Sequence, residues 1–278
     1  MPAVNDARDT VFCRAELNYA GVEANSVLPV QVVIHDGRRT ALAPWAQCGF
    51  QLLNHASAVA AWDDDAVIER AHYPEMEALA RSLTGCDHAI VSGHIKRNPQ
   101  QAALHADLGP IAYVHSDFAA SYGDLLRDTY RVPRPESQRA LQRAGIDGEV
   151  VARARRLLVL QFWRNVGPAT MDLPLAFCDA RSVAPADLQV LPVANYAGGG
   201  FDFDTLGISP PREPGRHRWY VFPNMLPEEV VAFRTFDSDR IESGEPFWTP
   251  HCAFHDPEVP LGRPSRSSIE LRAMCLFQ

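Results

Sequence analysis

Two short histidine–carboxylate pairs stand out among the residues able to do chemistry: His105-Ala-Asp107 and His115-Ser-Asp117. In a strand, residues i and i+2 face the same way, about 6.5–7 Å apart along the chain, so either pair could grip one metal ion. The second pair is preferred. The apolar run Gly109-Pro-Ile-Ala-Tyr-Val114 leads into it like a buried strand, whereas His105 lies in what reads as a loop or helix end. A distant histidine follows in Thr249-Pro-His251-Cys-Ala-Phe-His255, and further on comes Arg266-Ser-Ser268. Arg266 and Ser268 share one face of the last predicted strand, while Ile269, Leu271, Ala273, Cys275 and Phe277 make an apolar face opposite.

That order suggests a specific chemistry. Two imidazoles and one carboxylate form a facial triad that leaves three coordination positions open on Fe(II). Two of them suit the 2-oxo acid end of 2-oxoglutarate and the third suits O2. An arginine with a hydroxyl beside it supplies a fork and one further donor for the far carboxylate of that cosubstrate. His115, Asp117 and His251 are therefore the candidate metal ligands, and Arg266 and Ser268 the candidate cosubstrate residues.

The other polar residues weigh less. His35, His55, His72, His88, His94 and His217 have no acidic or histidine partner at a spacing that makes a site, and His255 is expected outside the ligand set. Asp202 and Asp204, in the glycine loop after Gly198, are too few for calcium. Arg164 follows Val-Leu-Gln-Phe-Trp and is expected to face a barrel mouth and hold a substrate acid, with an ion pair on the rim as the alternative. Tyr220 is a candidate hydrogen-bond donor to substrate, with a core aromatic as the alternative. Arg272 shares a face with Arg266 but sits about 20 Å further along a strand, so it reads as structural.

These residues must be positioned by a folded core. The chain has 278 residues, 46% hydrophobic and 22% charged, which suits a globular protein with a sizeable interior. A net charge of −8 without a basic run argues against nucleic acid or an anionic membrane as the main partner. Lys96 is the only lysine and no P-loop motif occurs, which disfavours Schiff-base and P-loop chemistry. The six cysteines (13, 48, 86, 178, 252 and 275) form no Cys-x-x-Cys and read as buried, reduced thiols. Residues 2–9 lack the apolar core of a signal peptide, and no apolar run approaches a membrane span. A cytoplasmic enzyme acting on a small molecule is the expectation.

Short apolar runs bounded by glycine and proline predict strands over 188–193, 219–222, 230–236 and 269–277. Helices are predicted from Asp63, from Pro74 to a stop at Gly85, and over 137–144 and 149–157. No linker divides the chain. We expect one domain over 1–278, mainly β with flanking helices (α+β): a helical or irregular cap over 1–85, a core over 110–277 and a helical insertion at about 120–157.

Seven short motifs in series then resemble one family. They are His115-Ser-Asp117, Phe162-Trp-Arg-Asn165, Leu173-Pro-Leu-Ala176, Trp219-Tyr-Val-Phe-Pro-Asn-Met225, Phe236-Asp-Ser238, His251-Cys-Ala-Phe-His-Asp-Pro257 and Arg266-Ser-Ser-Ile-Glu-Leu-Arg272. Their order, over roughly residues 110–277, resembles the CmcJ / AsaB hydroxylase-desaturase family of Fe(II)/2-oxoglutarate-dependent oxygenases. The resemblance implies a double-stranded β-helix, or jelly roll, with Fe(II) at its open end. It also implies hydroxylation, desaturation or ring closure of a small specialised-metabolite or amino-acid-like substrate, consuming 2-oxoglutarate and O2. Ser267 stands where similar proteins often carry an acid, and the first 85 residues match only vaguely. Two other classes fit a metal-binding jelly roll: a sensor or scaffold, and a non-oxidative lyase or isomerase. The intact Arg-x-Ser favours the oxygenase over both.

Overall fold

In a computed structural model of the chain, which describes residues 10–23 and 26–278, strand structure begins well before the first predicted strand. The expectation of no leader over residues 2–9 lies outside the described residues. β1 (Val11–Ala20) buries Cys13, Ala15, Leu17 and Tyr19 and leaves Arg14 and Glu16 in solvent, the period-two pattern of a strand covered on one face. It pairs antiparallel with β2 (Val27–Asp36). After α1 (Trp45–Cys48) comes a third strand, β3 (Phe50–Asn54). The helical or irregular cap expected over 1–85 is thus corrected, because these residues supply three strands. Arg14, Glu16 and Asn18 interrupt the apolar positions of β1, so a search for apolar runs passes over a strand that only alternation reveals.

The one long helix, α2 (Asp65–Thr84), also differs from expectation. The Asp64 carboxylate caps it, accepting from the Ala66 and Val67 amides at 2.9 and 3.2 Å, and Gly85 closes it in the left-handed conformation. Pro74 lies inside the helix rather than opening one. Ile68, Tyr73, Met76 and Ala80 pack on one sheet from both sides of that position, and such packing outweighs a proline cost of roughly 3 kcal/mol.

The chain continues through β4 (His88–Arg97), α3 (Pro99–Leu104), β5 (His115–Ser116), α4 (Tyr122–Arg131), α5 (Pro135–Ala144), α6 (Gly148–Arg153), β6 (Arg156–Asn165) and β7 (Leu175–Cys178). It ends with β8 (Leu188–Val193), β9 (Phe203–Ile208), β10 (Trp219–Val221), β11 (Glu229–Asp237), α7 (Ser238–Ser243), β12 (His251–Ala253) and β13 (Ser268–Phe277). The strands form an eight-stranded sheet, β1-β2-β10-β7-β12-β5-β9-β8, and a five-stranded sheet, β3-β11-β6-β13-β4. The two face each other as a jelly roll, flanked by helices.

Alternation assigns each face. Phe177, Tyr220 and Phe222 of the larger sheet meet Phe50, Trp163, Val231 and Phe233 of the smaller one. Their neighbours Ala176, Cys178, Trp219 and Val221 point the other way and pack with the inner residues of β1. On the smaller sheet, Ile269, Leu271, Ala273 and Cys275 lie under α2, so the alternate residues of β13 face the space between the sheets. The helices expected near 120–157 are α4–α6, whose Leu126, Tyr130 and Leu141 pack on Phe236 and Met274. Among the described residues no helix is long and apolar enough to cross a membrane.

Tyr19 ties β1 into this core. Its hydroxyl accepts the buried Trp219 indole N–H at 2.8 Å, and its ring is fully buried. Tyr19→Phe strands that donor and is expected to cost about 1–3 kcal/mol in a urea titration. Glu16→Ala, on the exposed face, should stay within about 0.5 kcal/mol. Equal stability of the two variants would mean that β1 is not anchored as described.

Candidate metal centre

β5 and β12 lie side by side in the larger sheet, with His115 directly opposite His251. The two rings are 4.3 Å apart between centroids. Each Nδ1 faces a backbone carbonyl, that of Tyr113 at 2.7 Å for His115 and that of Thr249 at 3.0 Å for His251. A carbonyl only accepts, so each Nδ1 carries a proton, and in the neutral ring it is Nε2 that presents the lone pair. Asp117 completes the group: its Oδ1 is 3.5 Å from Nε2 of His115 and 3.3 Å from Nε2 of His251. All three side chains are buried, and their ligand atoms lie within 4.8 Å of one another. Burial drives the His115 imidazole toward its neutral form, assisted by His251 beside it.

The loop before β12 is braced from two sides. The Thr249 amide donates to Ser116 Oγ at 3.1 Å, and Thr249 Oγ1 donates to the Gly49 carbonyl at 3.2 Å. Gly49 has φ +100°, and a Cβ there would sit 2.3 Å from Thr249 Oγ1, so only glycine lets Thr249 lie where its carbonyl orients His251.

Asp117 has a third neighbour, which crosses the gap between the sheets. Arg272 on β13 donates to Asp117 Oδ2 from Nε at 3.0 Å and from a terminal nitrogen at 2.8 Å. Burial alone would raise the Asp117 carboxyl, but Arg272 and the two histidines outweigh it and hold it well below the usual carboxylate range. Oδ2 is committed to the guanidinium and Oδ1 to the histidine side. Two imidazoles and one carboxylate oxygen converging on a point make a donor set that suits a divalent iron ion.

The triad lines a cavity of about 260 Å³ between the sheets. Arg266 reaches into the same cavity, its guanidinium 5.1 Å from the Trp163 ring centroid. Its Nε donates to Ser268 Oγ at 2.9 Å and a terminal nitrogen donates to the Leu173 carbonyl at 3.3 Å. No carboxylate pairs with it within salt-bridge distance among the described residues, and burial pushes its pKa down to about 9. An uncompensated buried cation is costly, and the cavity leaves room for an anionic partner. An aromatic wall faces the metal group, with Phe118 stacked on Tyr122 at 3.5 Å and Phe203 edge-on to Phe118.

Other sequence candidates lie elsewhere. Arg164 points away from the cavity: it donates to the His55 and Pro227 carbonyls at 2.9 and 2.6 Å and lies over Trp62, so the expected grip on a substrate acid is corrected. It follows Trp163 by one residue, and a strand turns successive side chains to opposite faces. Tyr220 packs between His35 and Phe50 outside the cavity lining, which matches its alternative as a core aromatic. His105 and Asp107 form a half-exposed pair at 3.5 Å with no third metal-binding group among the described residues. Arg272, read as structural, instead contacts the metal group. Its even spacing from Arg266 pointed to the shared face, but nothing in the sequence showed that β5 lies across from it. Arg97 and Glu270 also line the cavity and were missed: Arg97 belongs to no motif, and Glu270, though inside the Arg266–Arg272 motif, had no partner visible in the sequence.

Comparisons with known proteins show the family and the fold. The family model described as oxidoreductase/YMDC permease-like domain matches residues 4–276. The Fe(II)/2-oxoglutarate-dependent dioxygenase nvfI of Aspergillus novofumigatus is 26% identical over 216 residues, 76% of this chain and 68% of the relative. The hydroxylase/desaturase efuI of Hormonema carpetanum is 29% identical over 242 residues, 83% and 77% of the two chains. The hydroxylase/desaturase CTB9 of Cercospora beticola is 26% identical over 83% of this chain and 71% of its own. A solved structure of the iron and alpha-ketoglutarate-dependent endoperoxidase NvfI superposes with a TM-score of 0.74 at 22% identity, covering 96% of this chain and 98% of that one. The full-length family match, the shared fold and the serial motifs converge: the chain belongs to the oxidoreductase/YMDC permease-like family, the hydroxylase/desaturase group of Fe(II)/2-oxoglutarate-dependent oxygenases.

Proposed function

We propose that this chain uses Fe(II), 2-oxoglutarate and O2 to oxidise a C–H bond of a small specialised metabolite, with His115, Asp117 and His251 as metal ligands and Arg266 and Ser268 as the cosubstrate grip. The observation that carries the reading is the pairing, in one cavity, of a convergent imidazole–carboxylate–imidazole set with a buried guanidinium that has no carboxylate within salt-bridge distance among the described residues. When bound, the iron supplies oxidative decarboxylation of 2-oxoglutarate to succinate and the oxidising power for the C–H bond.

The chain's own residues do the remaining work. The Tyr113 and Thr249 carbonyls fix the tautomers of the ligands. Arg272 turns the Asp117 carboxylate and keeps it anionic. Arg266 neutralises the far carboxylate, with the Ser268 hydroxyl beside it as a second donor. Phe118, Tyr122 and Phe203 hold the substrate body and exclude water. The relatives named hydroxylase/desaturase support C–H hydroxylation or desaturation, and the endoperoxidase shows that the fold also hosts ring-forming oxidation. Six free cysteines support a reducing, cytoplasmic setting, and the net charge of −8 supports a partner other than nucleic acid.

His115→Ala should lose most bound Fe(II) in metal analysis of the purified protein with its circular dichroism unchanged, while His105→Ala keeps full occupancy. Retention of iron by the first, or its loss from the second, would move the site. Arg272→Met should weaken Mn(II) binding about 10–100-fold, as loss of a group that orients a ligand typically does. An unchanged affinity would make Arg272 a bystander. Arg266→Ala should raise the 2-oxoglutarate KM for succinate release about 100-fold, roughly 3 kcal/mol at about 1.4 kcal/mol per tenfold. Ser268→Ala should cost about 1.5–3 kcal/mol at most. An unaffected KM in Arg266→Ala would show that the cosubstrate arginine is another residue.

A further inference from the structure

The cavity face of β13 carries Ser268, Glu270 and Arg272 in turn, with Arg266 just before them. Arg272 belongs to Asp117, and Arg266 with Ser268 awaits a carboxylate. Glu270 lies between these two along the cavity face of the strand, and it is a buried acid that lines the same cavity. Placed there alone, it would repel a dicarboxylate. Its partner comes from the neighbouring strand: Arg97 at the end of β4 donates to Glu270 Oε1 at 2.7 Å, with side-chain exposures of only 5% and 6%. The same guanidinium donates to the Asp107 and Gly109 carbonyls at 2.6 and 2.7 Å and to the Tyr196 hydroxyl at 3.2 Å.

We propose that Arg97 is a positioning residue that masks the Glu270 carboxylate, so that the 2-oxoglutarate dianion can lie along β13 between Arg266 and the metal group. This rests on the cosubstrate reading above. The physical reason is that two like charges brought close in a site of low dielectric repel strongly unless a fixed cation lies beside one of them. Arg266 is the attracting group and Arg97 removes the repulsion. Glu270 holds Arg97 in turn, and through Arg97 the turn at 107–109 and the loop bearing Tyr196 are drawn onto the cavity wall.

A purely architectural role would rest on the bonds from Arg97 to Asp107, Gly109 and Tyr196. The two roles separate in a double-variant cycle, because Arg97→Met and Arg97→Met/Glu270→Gln lose those three bonds equally and differ only in the charge left at Glu270. The readout is 2-oxoglutarate binding to the Mn(II)-loaded protein by calorimetry, without turnover. Arg97→Met should weaken binding about 30-fold, ~2 kcal/mol at about 1.4 kcal/mol per tenfold. The double variant should return to within about threefold of the native protein. Arg97→Lys, which keeps the charge but not the fork, should lose no more than about fivefold and serves if Arg97→Met does not fold. A double variant as weak as Arg97→Met, or Arg97→Lys weakened 30-fold, would overturn the proposal. Arg266→Ala is run alongside: if it binds 2-oxoglutarate normally, the cosubstrate reading itself fails. If it loses binding while Arg97→Met does not, only the masking role fails.

Discussion

A single buried carboxylate, Asp117, joins the two halves of this molecule. One of its oxygens lies beside two imidazole nitrogens of the larger sheet, and the other takes two hydrogen bonds from Arg272 of the smaller sheet. Charges buried this deeply are tolerated only when compensated. The two sheets must therefore come together in the register that sets β13 opposite β5. The fold and the metal centre are in this sense one constraint. The aromatic contacts between the sheets run from Phe50 and Phe177 to Phe233, whose ring lies 4.9 Å from that of His251.

The cavity can be read as charge accounting. Arg272 is matched by Asp117, Arg97 by Glu270, and Arg266 by no side chain within salt-bridge distance among the described residues. One unmatched guanidinium in the same cavity as the His115, Asp117 and His251 group suits a dicarboxylate cosubstrate. The aromatic wall opposite leaves shape and apolar contact to select the substrate. Arg164, which suggested an acidic substrate, is occupied by backbone carbonyls on the other side of the sheet.

Much of the site was legible in the sequence because its residues sit at strand spacings. His115 and Asp117 are two apart, Arg266 and Ser268 are two apart, and the apolar face of β13 identified itself by alternation with them. What stayed hidden were pairings between distant strands. Nothing local tells Arg272 that it will meet Asp117, or Arg97 that it will meet Glu270, since both follow from sheet order. The N-terminal strands were hidden for a different reason. β1 breaks its apolar positions with Arg14, Glu16 and Asn18, so only alternation reveals it, and β2 is an apolar stretch interrupted by Pro29 and Gln31, which blurs it as a strand. The single helix through Pro74 was hidden because packing overrode a strong local signal.

The central claim, that iron and 2-oxoglutarate meet between His115, Asp117, His251 and Arg266, is tested most directly by anaerobic titration of 2-oxoglutarate into the Fe(II)-loaded protein. The account predicts the weak visible band of a chelated complex, saturating at one equivalent, absent in His251→Ala and displaced to far higher concentration in Arg266→Ala. No band in the native protein, or an undiminished band in His251→Ala, would contradict it.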